Sequence, residues 1–258
     1  LEEAGDLLQE AREAVGRLHS WQKVGGSADE FVEPYVAEYT AVRNRRLREL
    51  LPEEAARVRA QELLPRLRML LAIKRDGRRK CRLIMQGFSE PWSWEEGRSV
   101  DSPVAFQTSV RMMLGKGGAT DVVSKRDVSV AFLQSTSYGP DERKRYVTYR
   151  PYKGACEKVF ELLGPLYGQR SAPRRWYETM AAWLTSPEMG FEQGVNEPCL
   201  FRNPGTGLVV ILYVDDLVTR GSESSTAEFH NSLGEKFECT SEEYLSTTHD
   251  LDFLGFTI

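Results

Sequence analysis

Hydrophobic and polar residues alternate along this chain with two different periods. Residues 2–20 place Leu7, Leu8, Ala11, Val15 and Leu18 on one stripe, which predicts an amphipathic helix ended by Gly25, Gly26 and Ser27. Residues 30–70 read as further helix, rich in Arg, Glu and Leu and interrupted at Pro52 and Pro65. From Met69 the period shortens. Residues 69–74 and 80–86 read as two strands joined at Arg75-Asp76-Gly77, because Asp-Gly between such runs is a strong hairpin signal. Residues 121–127 form a further predicted strand that runs into an apolar segment with helical character. Seven apolar residues, 208–214, lead into Asp215-Asp216, after which apolar positions resume; this predicts two buried strands with the acids at the hairpin tip. After Pro173, Trp176, Met180, Trp183 and Leu184 recur at helical spacing, and core packing explains that stripe.

Composition narrows the class. With 258 residues, 41% hydrophobic and 28% charged, the chain has enough apolar content for a core, and disorder is excluded as a description of the whole. Its seven-residue apolar run falls well short of the ~20 residues of a membrane span. Cys81, Cys156, Cys199 and Cys239 are far apart with no CxxC pair, which argues against a zinc site or disulfide framework and for a reducing, intracellular compartment, either a cytoplasmic particle or the nucleus. The first residue is Leu and no signal peptide follows, so the chain reads as a fragment of a longer polyprotein.

The net charge of −4 argues at first against a nucleic-acid partner, but its distribution does not. Residues 1–42 carry nine acids and three bases, residues 43–82 fourteen bases and five acids, and residues 221–258 eight acids and one base. Six of the bases (Lys74, Arg75, Arg78, Arg79, Lys80, Arg82) sit on the predicted 69–86 hairpin, which reads as a tongue with little apolar surface, either an exposed loop or a flap for phosphates.

Asp127 ends one predicted strand and Asp215-Asp216 end another. Asp is common in ordinary turns, but this turn lacks Gly or Asn and is flanked by deeply apolar strands. Carboxylates gathered there repel one another and are costly to desolvate without a cation, so the three would suit two divalent metals. Gly168 and Gln169 give a flexible approach to the helix after Pro173, and the Gly-Lys-Gly-Gly at 115–118 lacks P-loop spacing.

In order along the chain come Lys80-Cys81-Arg82-Leu83 with Gly87-Phe88, Ser102-Pro103-Val104, Asp127-Val128 with Ala131-Phe132-Leu133, and Leu166-Tyr167-Gly168 with Ala172-Pro173 and Trp176-Tyr177. Gly190-Phe191, Pro198-Cys199-Leu200-Phe201, Tyr213-Val214-Asp215-Asp216 and Phe253-Leu254-Gly255 complete the series. This series resembles the reverse transcriptase of copia-type LTR retrotransposons over about residues 68–258. The resemblance implies an α+β right-hand polymerase: fingers, and a palm whose antiparallel sheet is backed by helices, here with a helical N-terminal extension (1–67) of unassigned role and a thumb largely absent. It implies RNA-directed DNA synthesis, with an RNA or DNA template, a primer and deoxynucleoside triphosphates as partners and two Mg²⁺ ions (or Mn²⁺) as cofactors.

By the same resemblance Asp127, Asp215 and Asp216 are the catalytic carboxylates, and the Val128 carbonyl is a further metal ligand. Lys74 and Arg82, helped by Lys80, contact the triphosphate. Phe132 lies under the sugar and excludes a 2′-hydroxyl, although a core position explains it as well. Tyr167, Gly168 and Pro173 support the nucleotide and the templating base, and Phe253-Leu254-Gly255 form part of the primer grip. Residues 134–152 depart from the family pattern and read as a polar, basic insertion. Two alternatives remain: a decayed or domesticated copy that binds nucleic acid or protein without catalysis, and another two-metal phosphoryl-transfer enzyme, such as a nucleotidyl cyclase, which leaves the 168–173 loop unexplained.

Overall fold

The computed structural model describes residues 2–118 and 120–258. It is α+β and divides into two compact units, Leu1–Ser99 with Ser137–Ala172, and Val100–Thr136 with Pro173–Ile258.

The first unit contains helices α1 (Glu2–Gln22), α2 (Val32–Arg46) and α3 (Pro52–Gln61) and strands β1 (Leu47–Glu49), β2 (Arg66–Ile73), β3 (Arg79–Met85), β5 (Arg145–Tyr149) and β6 (Lys158–Leu162). The strands form one sheet in the order β1-β6-β5-β2-β3, antiparallel except for the short β2–β5 pair. Leu67, Met69 and Leu71 of β2 and Cys81, Leu83 and Met85 of β3 are buried, while the residues between them face outward. The basic hairpin is therefore no free-standing tongue. Its lower part is half of a core sheet, and only the end around residues 73–78 is exposed throughout. The same alternation corrects the expected helix over 30–70: residues 66–70 are strand, as are 47–49, because Leu67 and Met69 repeat with period two.

Residues 134–152, polar and basic in sequence, are not a surface loop. They supply β5, an inner strand with Arg145, Val147, Thr148 and Tyr149 buried. Arg145 reads as polar in sequence but is neutralised inside, with Nη2 3.5 Å from Glu95 Oε1, Nη1 3.4 Å from Glu142 Oε2, and its guanidinium 4.0 Å above the Tyr138 ring.

The second unit contains α4 (Gln107–Gly115), β4 (Val122–Asp127), α5 (Ala172–Leu184, whose first residue belongs to the other unit), β7 (Glu192–Gln193), β8 (Leu200–Arg202), β9 (Val209–Tyr213), β10 (Asp216–Gly221), α6 (Glu223–Lys236) and β11 (Glu243–Tyr244). Its sheet is antiparallel in the order β11-β4-β10-β9-β8-β7, and a separate hairpin pairs β12 (Asp252–Phe253) with β13 (Phe256–Thr257). Val210, Ile211, Leu217 and Val218 are fully buried in a core shared with Trp176, Met180 and Leu184 of α5 and Phe229 and Leu233 of α6. Ser222 caps α6, its Oγ accepting from Ser225 N at 3.2 Å. No helix among the described residues is long and apolar enough to cross a membrane.

Candidate active site

Strands β4 and β10 run antiparallel with Asp127 directly opposite Asp216. Opposed residues share a sheet face with Cβ atoms about 4.5–5.5 Å apart, so these two carboxylates leave the sheet on the same side. Asp216 is not in the turn. It opens β10 opposite Tyr213, and the two-residue loop is Val214-Asp215. The tip lies one residue earlier than the sequence pattern suggests, because the Asp216–Tyr213 pair continues the ladder. Asp215 is tied to the end of β4, since Val128 N donates to Asp215 O at 2.8 Å. Beyond Asp127, the strand is held by Ser129 N donating to Glu238 O at 2.8 Å and Thr240 N donating to Asp127 O at 2.9 Å.

Two further residues shape this hairpin. Val214 has φ +54°, a strained conformation for a β-branched side chain. Trp176 of α5, buried, donates its indole Nε1–H to Val214 O at 2.6 Å. The apolar stripe of α5 thus packs the core as expected and also grips the hairpin tip, a role that spacing alone does not reveal.

Lys125, two residues before Asp127 and therefore on its face, places Nζ 3.1 Å from Asp216 Oδ1. Burial pushes the Asp216 carboxyl above its ordinary value; Lys125 partly offsets this, and neighbouring Asp215 adds to the rise. Alternation along β4 could have exposed Lys125, as it sits at i−2 from the acid. The backbone thus gathers the three acids, but among the described residues no cluster of three or more His, Cys, Asp or Glu side chains is converged for a metal. The donor set nevertheless fits Mg²⁺ or Mn²⁺: hard carboxylate and carbonyl oxygens, one carboxylate being half-buried and in need of positive charge.

Behind the acids, Ser124 Oγ lies 2.6 Å from Thr219 Oγ1 and 2.7 Å from His230 Nε2, all buried. Burial, with help from Arg126, lowers the His230 pKa to about 4.

The other expected residues divide between the two units. In the second unit, Phe253-Leu254-Gly255 make the β12–β13 hairpin, with Leu254 and Gly255 both at positive φ (+53° and +79°) as a type I′ turn requires. The Phe253 ring stands edge-on to Tyr213 at 6.2 Å, which brings this hairpin beside the acidic one. Phe132 follows Val130 (φ +45°) in a short 3-10 helix, Ala131–Gln134, and packs half-buried on the core. Pro173 lines a cavity of about 100 Å³ together with Pro103, Trp176, Leu212 and Val214.

In the first unit, Lys74 is exposed in the β2–β3 loop. Lys80 and Arg82 share the outward face of β3, and the Arg82 guanidinium stacks 4.4 Å above the Tyr167 ring. Gly168 is at φ +86°, and a Cβ there would meet Met85 O at 2.1 Å, so Gly168 serves close backbone approach rather than flexibility. Of the remaining hairpin bases, Arg78 pairs with Asp76 and Arg79 with Glu30.

Residues 69–258 match the family described as Reverse transcriptase (RNA-dependent DNA polymerase). The chain belongs to this family. Its curated relatives include the retrovirus-related Pol polyprotein from transposon TNT 1-94 of Nicotiana tabacum, 28% identical over 64% of this chain and 13% of that protein. The Pol polyprotein from transposon RE1 of Arabidopsis thaliana is 32% identical over 60% of this chain and 10% of that one. The copia-type resemblance is thereby borne out for a chain that spans about a tenth of these relatives' length. Among solved structures, apo telomerase from Candida tropicalis matches with TM-score 0.50 at 9% identity over 88% of this chain and 51% of that one, a likeness of fold alone. The reverse transcriptase family and its fold thus agree with the order of motifs along the chain.

Proposed function

We propose that this reverse transcriptase domain extends a primer by template-directed nucleotidyl transfer, with the second unit acting as palm and the first, to which residues 1–67 add three helices and the strand β1, as fingers. The observation that carries this reading is the register of β4 and β10, which sets Asp127 opposite Asp216 and Asp215 in the adjoining loop. Asp127, Asp215, Asp216 and the Val128 carbonyl would hold two Mg²⁺ or Mn²⁺ ions, which when bound lower the pKa of the primer 3′-hydroxyl and neutralise the leaving pyrophosphate. The chain's own residues orient the reactants. Lys74 and Arg82, with Lys80, bind the triphosphate, Arg82 being held in place by its stack on Tyr167. Tyr167, Gly168 and Pro173 support the nucleotide and templating base, Phe132 lies under the sugar, and the 253–255 hairpin holds the primer end. Trp176 keeps Val214, and with it Asp215, in position.

Primer extension on an RNA template with Mg²⁺ or Mn²⁺ tests the proposal. Template-dependent DNA synthesis is expected and Asp215→Ala should abolish it. A folded chain that binds the primer–template but synthesises nothing would favour the non-catalytic copy. Phe132→Ala should raise ribonucleotide incorporation relative to deoxynucleotide, and an unchanged ratio would return Phe132 to the core.

A further inference from the structure

A cleft of about 590 Å³ opens within the first unit between α1, the start of β2 and the segment after β5. Helix α1 is fixed there for a definable reason. β5 pairs with β2 only at Arg66 and Leu67, and the open β2 edge beyond is closed by Gln22. Its Nε2 donates to Met69 O and its Oε1 accepts from Leu71 N, each at 3.0 Å. The cleft is strongly cationic: Arg17, Arg66, Arg68, Arg150 and Lys153 line it against one acid, Glu157. Glu157 is already engaged by Arg59 at 3.0 Å and Arg150 at 3.4 Å. Among the described residues, no carboxylate pairs with Arg66, Arg68 or Lys153. Two aromatic rings stand among the charges. Arg68 lies 4.2 Å over Trp21, which is 62% exposed, and Arg17 lies 4.7 Å over Tyr152.

Like charges held together on α1, β2 and the segment after β5 call for a polyanion, and an exposed Trp21 and a half-buried Tyr152 beside arginines call for one that carries planar groups. Paired bases cannot reach such rings, so the fit is to an unpaired strand rather than a duplex. We propose that this cleft binds a single-stranded segment of nucleic acid, its phosphates on Arg17, Arg66, Arg68 and Lys153 and a base stacked on Trp21. The inference goes beyond the polymerase reading, and a chain without catalysis would keep the site.

The test is binding of a fluorescein-labelled single-stranded RNA 12-mer to the full chain at several salt concentrations, with no primer or nucleotide present, so that the result is independent of synthesis. Arg66→Ala/Lys153→Ala should weaken binding and make the slope of log affinity against log salt shallower by about 1.4, ~0.7 for each lost phosphate contact. Trp21→Ala should weaken binding about 10-fold at any salt, and ultraviolet cross-links should map to peptides containing Trp21 or Tyr152. Both variants change exposed side chains, and unchanged circular dichroism checks their folding. Unaltered affinity and slope, tighter binding of a duplex than of the strand, or a cleft variant that loses binding to phosphatidylserine vesicles while keeping RNA would each overturn the proposal.

Discussion

Val214 is held at φ +54° while its carbonyl accepts the Trp176 indole N–H at 2.6 Å, so strain and a part-buried hydrogen bond meet beside Asp215. A β-branched residue at φ +54° gives no warning in sequence, yet it sits between the Tyr213 and Asp215 that the motif makes conspicuous. Val214→Gly should remove the strain, leaving stability unchanged or raised by up to about 1 kcal/mol, because relief of the positive φ is offset by the greater freedom of the unfolded chain. DNA synthesis should fall in the same variant as Asp215 loses its fixed position. Melting temperature and primer extension on one sample read both effects. His230 makes a second test. Its folded pKa of about 4 lies below the unfolded value near 6.5, so the neutral ring favours folding above pH 6.5, and that contribution is lost as pH falls through 4. The difference is on the order of 3 kcal/mol. Urea unfolding at pH 7.5 and 4.5 should show a larger acid loss for the native chain than for His230→Gln, and equal losses would show that the ring is not buried neutral. The acid pair is legible in sequence because Asp215-Asp216 directly follow a seven-residue apolar run, and Asp127 because it ends a predicted strand. Lys125 against Asp216 was recoverable from alternation, and the Trp176–Val214 bond, across 38 positions, was not.

The elements repeat this division. The continuous apolar run places β9 within a residue of its observed bounds and β4 starts one residue after the predicted 121, and α5 starts beside Pro173 as its missing N–H dictates. The pattern fails where burial is polar. β5 was hidden because Arg145 finds its neutralising partner Glu95 fifty residues away, which composition cannot see. Arg66 and Arg68, at the first two outward positions, mask the start of β2. The junction of β3 with the 166–168 loop carries its own prediction. Gly87 and Gly168 face each other so closely that a Cβ on Gly87 would meet Gly168 O at 2.1 Å. Gly168→Ala adds a positive-φ penalty to a backbone collision and should destabilise the chain by about 2–3 kcal/mol in urea unfolding. A loss below about 0.5 kcal/mol would show that the loop relaxes freely.

At the scale of the whole molecule, the net charge of −4 conceals a segregation. The basic block 43–82 lies wholly in the first unit and the acidic block 221–258 wholly in the second, alongside the three acids. A protein so divided should bind primer–template with an affinity that falls steeply with salt. A flat dependence would remove residues 43–82 from the phosphate-facing surface. On the proposed reading, the β4–β10 register makes a template-directed polymerising site. Single-nucleotide addition to a primer on an RNA template, each deoxynucleoside triphosphate being offered alone, measures it most directly. Only the nucleotide complementary to the next template base should be added, and Asp127→Asn, at one end of the cross-strand pair, should stop addition. Addition regardless of the template base, or undiminished addition by Asp127→Asn, would contradict that reading.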